Sequence, residues 1–123
     1  MNLVQTVAPL SEPLSLEDAK TFMHILENDE DTLIESFISG AREYAENYTN
    51  RQLMTATFEL TNEIIYSGFA LPKNPVQSVT KIEYMDINGT YQIMSTNDYY
   101  VYIENEITKL HINQLPPYKQ DKR

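Results

Sequence analysis

Few residues in this chain could carry out chemistry, and their spacing limits what they can do. Imidazole comes only from His24 and His111, and neither stands at a metal-like spacing from a partner. A lone histidine specifies little, so both read as surface or half-buried side chains rather than ligands or general bases. Glu27, Asp29, Glu30 and Asp31 gather carboxylates that could in principle hold a hard cation. A calcium loop of the EF type, however, needs alternating oxygen ligands, a central glycine and a closing glutamate, and here no glycine follows. Acidic charge at the entrance of a helix, where the dipole favours it, is the better account. Gly40, Gly68 and Gly89 stand apart from one another, so no phosphate-cradling loop is formed. With no cysteine, thiolate nucleophiles, disulfides and Cys-ligated zinc are excluded together. No cofactor and no metal are expected.

Seven of the nine tyrosines lie from Tyr66 onward, which raises the question of a stacking platform for bases. Such a platform comes with a basic groove, whereas this chain has 9 Lys and Arg against 18 Asp and Glu. The tyrosines therefore read as strand formers and, where exposed, as protein-contact residues.

Two helices and a run of strands must position these residues. Residues 1–14, with Pro9 and Pro13, hold no sustained period and read as a flexible, extended arm. Ser15 and Asp18 form a capping box that opens a first helix, expected over about residues 15–27, with Leu16, Ala19, Phe22, Met23 and Leu26 as its apolar stripe. A second helix is predicted over residues 32–49, where Leu33, Ile34, Phe37, Ile38, Ala41, Ala45 and Tyr48 keep helical phase. It should stop at Asn50, a residue suited to the left-handed C-cap conformation. The short link predicts a helical hairpin.

From residue 56 the period changes to two. Phe58, Leu60, Ile64 and Tyr66 alternate with polar residues, and Asn62 breaks the alternation. Ser67-Gly68 signals a turn, and Pro72 and Pro75 bracket a link that cannot be a central strand. Thr80, Ile82 and Tyr84 fall on one face and Lys81, Glu83 and Met85 on the other, ahead of an Asn88-Gly89 hairpin turn. Further strands are expected over residues 99–103 and 107–112. The sum is an α+β fold in which the helical hairpin packs with an antiparallel meander, one domain over residues 15–112. Residues 113–123 read as a flexible tail.

Apolar residues at 41% are enough for a folded core. A formal charge of −9 repels duplex DNA and acidic membrane surfaces. No stretch is apolar enough to span a membrane, and the first ten residues lack a signal-peptide pattern, so synthesis in the cytoplasm is expected.

Three segments resemble the head-tail connector proteins of tailed bacteriophages. The first is Leu14-Ser15-Leu16-Glu17-Asp18-Ala19-Lys20 with the acidic link Asp29-Glu30-Asp31 behind it. The second runs from Ala41 to Leu53 and is similar to the family's long helix ending in Tyr-Thr-Gly-Arg, with Asn50 in the glycine's place. The third comprises Leu71-Pro72, Pro75 to Val79, Tyr84-Met85-Asp86, Asn88-Gly89 and Asp98-Tyr99. Together they cover roughly residues 14–103.

The resemblance implies a structural adaptor without enzymatic activity, at work in the bacterial cytoplasm during assembly and then at the virion head–tail junction. It implies a homo-oligomeric ring between the portal protein and the next adaptor or tail protein, with DNA passing through. The free chain is expected to be a monomer or weak oligomer. Leu115, Pro116, Pro117, Tyr118, Lys119, Lys122 and Arg123, in the partly basic tail, are the expected partner-docking residues. Two rivals stay open at this point. The acidic charge also suits a DNA mimic or inhibitor of a nucleic-acid-binding protein, and the Asp29–Asp31 cluster a small hydrolase.

Overall fold

A computed structural model of the chain describes residues 1–119. The fold is mixed α and β. Its elements in order are β1 (Asn2–Val7), α1 (Leu16–Phe22), α2 (Asp31–Thr49), β2 (Thr57–Thr61), β3 (Phe69–Ala70), β4 (Glu83–Met85), β5 (Tyr91–Ile93), β6 (Tyr99–Glu104) and β7 (Ile107–Ile112). The chain divides into two compact units: Gln5–Phe58, which holds the helices, and Met1–Val4 with the residues from Glu59 on, which hold most of the strands.

In the helical unit, Ser15 caps α1 by accepting a hydrogen bond from the Asp18 amide at 3.0 Å. The helix ends five residues before the expected position. His24 adopts φ 58°, its amide donates to the Thr21 carbonyl, and the Ile25 amide donates back to the Lys20 carbonyl at 2.9 Å. This double closure is a Schellman motif, and histidine is among the residues most tolerant of the left-handed conformation it needs. Of the predicted α1 stripe only Ala19 is buried, while Phe22 and Leu26 are exposed. α1 packs against α2, and Lys20 ties the link between them by reaching both Asn28 Oδ1 and Asp31 Oδ1 at 2.7 Å. α2 runs for about five turns from Asp31, one residue earlier than predicted, and stops at Asn50, whose φ of 52° and ψ of 38° are left-handed. The arm is not free: β1 pairs with β2, the Thr6 hydroxyl donates to the Thr57 carbonyl, and Glu12 is held by α2.

In the strand unit the sheets differ from a meander. β7 is central in a three-stranded sheet of order β3-β7-β6, and β4 and β5 form a separate hairpin. Pairing of β3 with β7 brings together residues some forty positions apart, so local alternation could not reveal it. Side chains reinforce that pairing. Ser67 Oγ accepts from the Ile112 amide, and Asn74, itself buried, accepts the Thr108 amide through Oδ1 at 2.8 Å while donating to the Leu71 carbonyl. β6 and β7 join through Asn105-Glu106, both at positive φ, the requirement of a type I′ turn. The core is Met94, Tyr99 and Ile112, against which Ile65, Val79, Ile82, Tyr84 and Leu110 pack. β2 ends at Thr61, next to Asn62, where the alternation breaks.

Candidate functional site

The residues singled out for possible chemistry lie apart. His24 sits at the end of α1, whereas His111 lies in β7 with Nδ1 at 3.2 Å from Ser67 Oγ and its ring over Tyr100. Among the described residues no group of three His, Asp or Glu side chains is placed to hold a metal ion. Of the acidic cluster, Asp31 pairs with Lys20 and Glu30 occupies the N-cap of α2. Among those residues, too, no helix is long and apolar enough to cross a membrane.

One buried polar constellation escaped sequence reasoning. Arg42, only 8% exposed, donates to Glu12 Oε2 at 2.6 Å and to Glu46 Oε2 at 2.8 Å. Glu46, 4% exposed, uses its other oxygen to accept the Leu53 amide beyond the helix, and Ser39 donates to the second oxygen of Glu12. The arm, α2 and the segment after it are thus joined at one guanidinium. Its hydrogen bond to Glu12 holds that carboxyl below the usual carboxylate range, and burial opposes the shift only in part. The i,i+4 spacing of Arg42 and Glu46 was a visible signal for the pair. Nothing local announced Glu12, thirty residues away. These groups satisfy one another, so their work is to position the backbone.

Part of what α2 turns outward is apolar. Leu33, Phe37, Tyr44 and Tyr48 fall within an arc of about 60° on α2 at 100° per residue. All four are exposed, Phe37 by 65% and Tyr48 by 81%, and the Tyr44 and Tyr48 rings stack at 6.2 Å. The residues expected to keep helical phase are therefore divided: Ile34 is buried and Ile38 and Ala45 partly so, while Leu33, Phe37 and Tyr48 on the adjoining arc are uncovered.

The β4–β5 hairpin offers a second surface. Register opposes Glu83 to Ile93 and Met85 to Tyr91, so these four share the face opposite Tyr84, which packs on the core. Tyr91 is 71% and Ile93 67% exposed. Lys81, paired with Glu83 at 2.9 Å, lies on the same side. The turn is fixed by Asp86, whose Oδ1 accepts the Thr90 and Asn88 amides at 2.9 Å and whose Oδ2 accepts from Gln92. Those bonds, the Thr90 amide foremost, lower its pKa.

The expected docking tail meets this hairpin. Tyr118 bridges to Asp86 and the Lys119 amide donates to the Met85 carbonyl at 2.9 Å, so these two residues are tied back rather than free. Leu115 and Pro117 are exposed and Pro116 is partly buried. Lys122 and Arg123 lie outside the described residues.

The chain thus presents apolar and aromatic surfaces on a scaffold joined by buried polar bonds, and one comparison gives that pattern a context. The model of the phage gp6-like head-tail connector protein family matches residues 13–114. The chain belongs to that family. The match takes in both helices and every strand from β2 to β7, and it leaves out β1, Glu12 and the residues after Gln114. A head-tail connector is a structural phage protein that works through contacts with other head and tail proteins. No curated protein and no solved structure matches the chain.

Proposed function

We propose that this connector assembles as a homo-oligomeric ring between the portal protein and the next adaptor or tail protein, and that genome DNA passes through the ring without being held. Family membership over residues 13–114 carries the reading. Exposed aromatic residues on α2 and on the β4–β5 hairpin support it, because such residues are enriched in protein interfaces. Free chains stay monomeric or weakly associated, since rings closed before docking would be unproductive. The tail from Leu115 to Lys119, continuing to Lys122 and Arg123, docks on the portal; its basic residues suit a protein partner better than the acidic body does.

A conduit for a polyanion must avoid phosphate contacts, each of which releases counterions and adds affinity. A chain with twice as many acids as bases meets that need. Mobility-shift titration at ~150 mM salt should show no binding to duplex DNA, even in the 10⁻⁴ to 10⁻⁶ M range of ordinary non-specific binders. Electron microscopy of the chain mixed with its cognate portal should show an added ring, and removal of residues 113–123 should weaken that docking while leaving the helices and the β3-β7-β6 sheet folded, at the loss of the ties from Tyr118 and Lys119 to the hairpin. Salt-sensitive micromolar DNA binding would overturn the passive-conduit reading. Full portal binding by the truncated chain would overturn the assignment of the tail.

A further inference from the structure

We infer that the lateral contact between neighbouring copies is heterologous: the exposed α2 stripe of one copy seats on the outer face of the β4–β5 hairpin of the next. The inference rests on the ring reading and goes beyond it by naming both faces. A ring requires two different, complementary patches on each copy, because a patch that pairs with itself closes at a dimer. Each unit carries an exposed apolar patch with aromatic side chains on a regular element. Phe37, Tyr44 and Tyr48 mark the first, and Tyr91 and Ile93, with the partly buried Met85 beside them, mark the second.

Charge decides how they pair. The helical unit holds ten acids and three bases, and two of those bases, Lys20 and Arg42, are already paired with Asp31, Glu12 and Glu46. The remainder of the chain holds eight acids and six bases. Stripe against stripe would bring two strongly negative units together, with the exposed Glu43 beside the stripe on both sides. Even at physiological salt, charges within about 8 Å of one another are not screened out. Stripe against hairpin instead sets the acidic unit against one whose net charge is only −2, where the Lys81–Glu83 pair rims the apolar face and Lys119 is held by its amide at Met85. Such a pair gains apolar burial at a smaller like-charge cost than stripe against stripe.

The absence of cysteine makes the test clean. Tyr44→Cys and Ile93→Cys place one thiol on each exposed face, and a bis-maleimide tolerates small errors of register. At the highest soluble concentration, and again on the cognate portal, a mixture of the two variants should give a crosslinked dimer. Each variant alone should give little, and the chain carrying both substitutions should give a ladder of multimers. Adding Phe37→Glu to the Tyr44→Cys chain should suppress the crosslink several-fold while thermal melts stay unchanged. Efficient dimers from Tyr44→Cys alone would mean the stripes face each other and would overturn the inference. An intrachain crosslink in the doubly substituted chain would overturn it as well, by assigning both faces to one copy. Rings visible by electron microscopy without the mixed crosslink would refute the pairing and leave the ring reading standing. Neither rings nor crosslinks under any of these conditions would refute both.

Discussion

The two units bury different things. The strand unit closes around Met94, Tyr99 and Ile112, an apolar cluster with aliphatic and aromatic neighbours. The helical unit buries little apolar surface beyond Ala19 and Ile34, and the rest of its buried set is Arg42 and Glu46. Apolar cores tolerate changes that conserve volume and lose stability in proportion to the cavity left behind. A buried ion pair behaves otherwise, because deleting one partner strands the other in a poor solvent for charge. The helical unit should therefore be the more sensitive to charge deletion and to acid, and the strand unit to truncation of side chains.

Arg42→Ala should have the largest effect. It leaves Glu46 buried without its cation and releases Glu12, so a loss of about 3–5 kcal/mol is expected. Chemical denaturation measures the loss, and hydrogen exchange should locate it in α2 ahead of β6 and β7. Replacement by Met together with Glu46→Gln keeps the volume and removes the stranded charge, and should recover much of the stability. If Arg42→Ala is instead no worse than an exposed substitution, the polar cluster does not hold the helical unit together.

On the other side of the comparison, Ile112→Ala should cost about 2–5 kcal/mol through lost burial and a residual cavity. Protection should fall in β6 and β7 while α2 keeps its own. Equal loss of protection in both units would show that they unfold as one, and the contrast between them would carry no separate energetics.

Acid should separate the units in a graded way. Glu12 has a folded pKa below its ordinary value, held there by Arg42. Its contribution is therefore complete above about pH 4.3, the unfolded glutamate value, and is lost as pH falls through the lower folded value. Glu12→Gln should lower stability at neutral pH and flatten this acid limb. Asp86 shifts in the same direction through its turn hydrogen bonds, but Asp86→Asn keeps an acceptor for the Thr90 and Asn88 amides and should alter the profile less. Thermal melts between pH 3 and 7, on the order of half-unit steps across the carboxylate range, would reveal both slopes.

Sequence reasoning reached what is local in this fold and missed what closes over distance. The phase of α2 was legible because seven apolar residues hold one period over its length. The end of β2 was visible in the break at Asn62. α1 ends early because His24 adopts a left-handed conformation that periodicity does not encode, and the apolar positions beyond it mimic another turn. The sheet order was hidden because Ser67 and Asn74 make their decisive bonds to β7, far along the chain. The candidate surfaces were hidden for a related reason: an apolar stripe looks the same in sequence whether or not its own chain covers it. Phe37 and Tyr48 keep the same helical phase as Ile34, and only their exposure sets them apart from it.

The smallest effect belongs to Asn50, and it tests a feature of the helical unit that owes nothing to charge. Asn50 ends α2 at φ 52° and ψ 38°, with its amide donating to the Glu46 carbonyl, and the Arg51 amide donates to that same carbonyl at 3.1 Å. Closing the helix here aims the following residues so that the Leu53 amide meets the Glu46 side chain. Glycine adopts this conformation without a Cβ penalty, whereas a β-branched residue meets the following carbonyl. Asn50→Gly should therefore be neutral or slightly stabilising, although glycine's freedom in the unfolded chain offsets part of the gain. Asn50→Val should cost on the order of 1 kcal/mol or more. Thermal melts of the two variants decide the matter, and equal melting temperatures would mean that the left-handed cap contributes nothing to the closure of α2. A loss for Asn50→Val that shrinks in the Arg42→Ala background would couple the cap to the buried cluster, since both act on the backbone around Glu46.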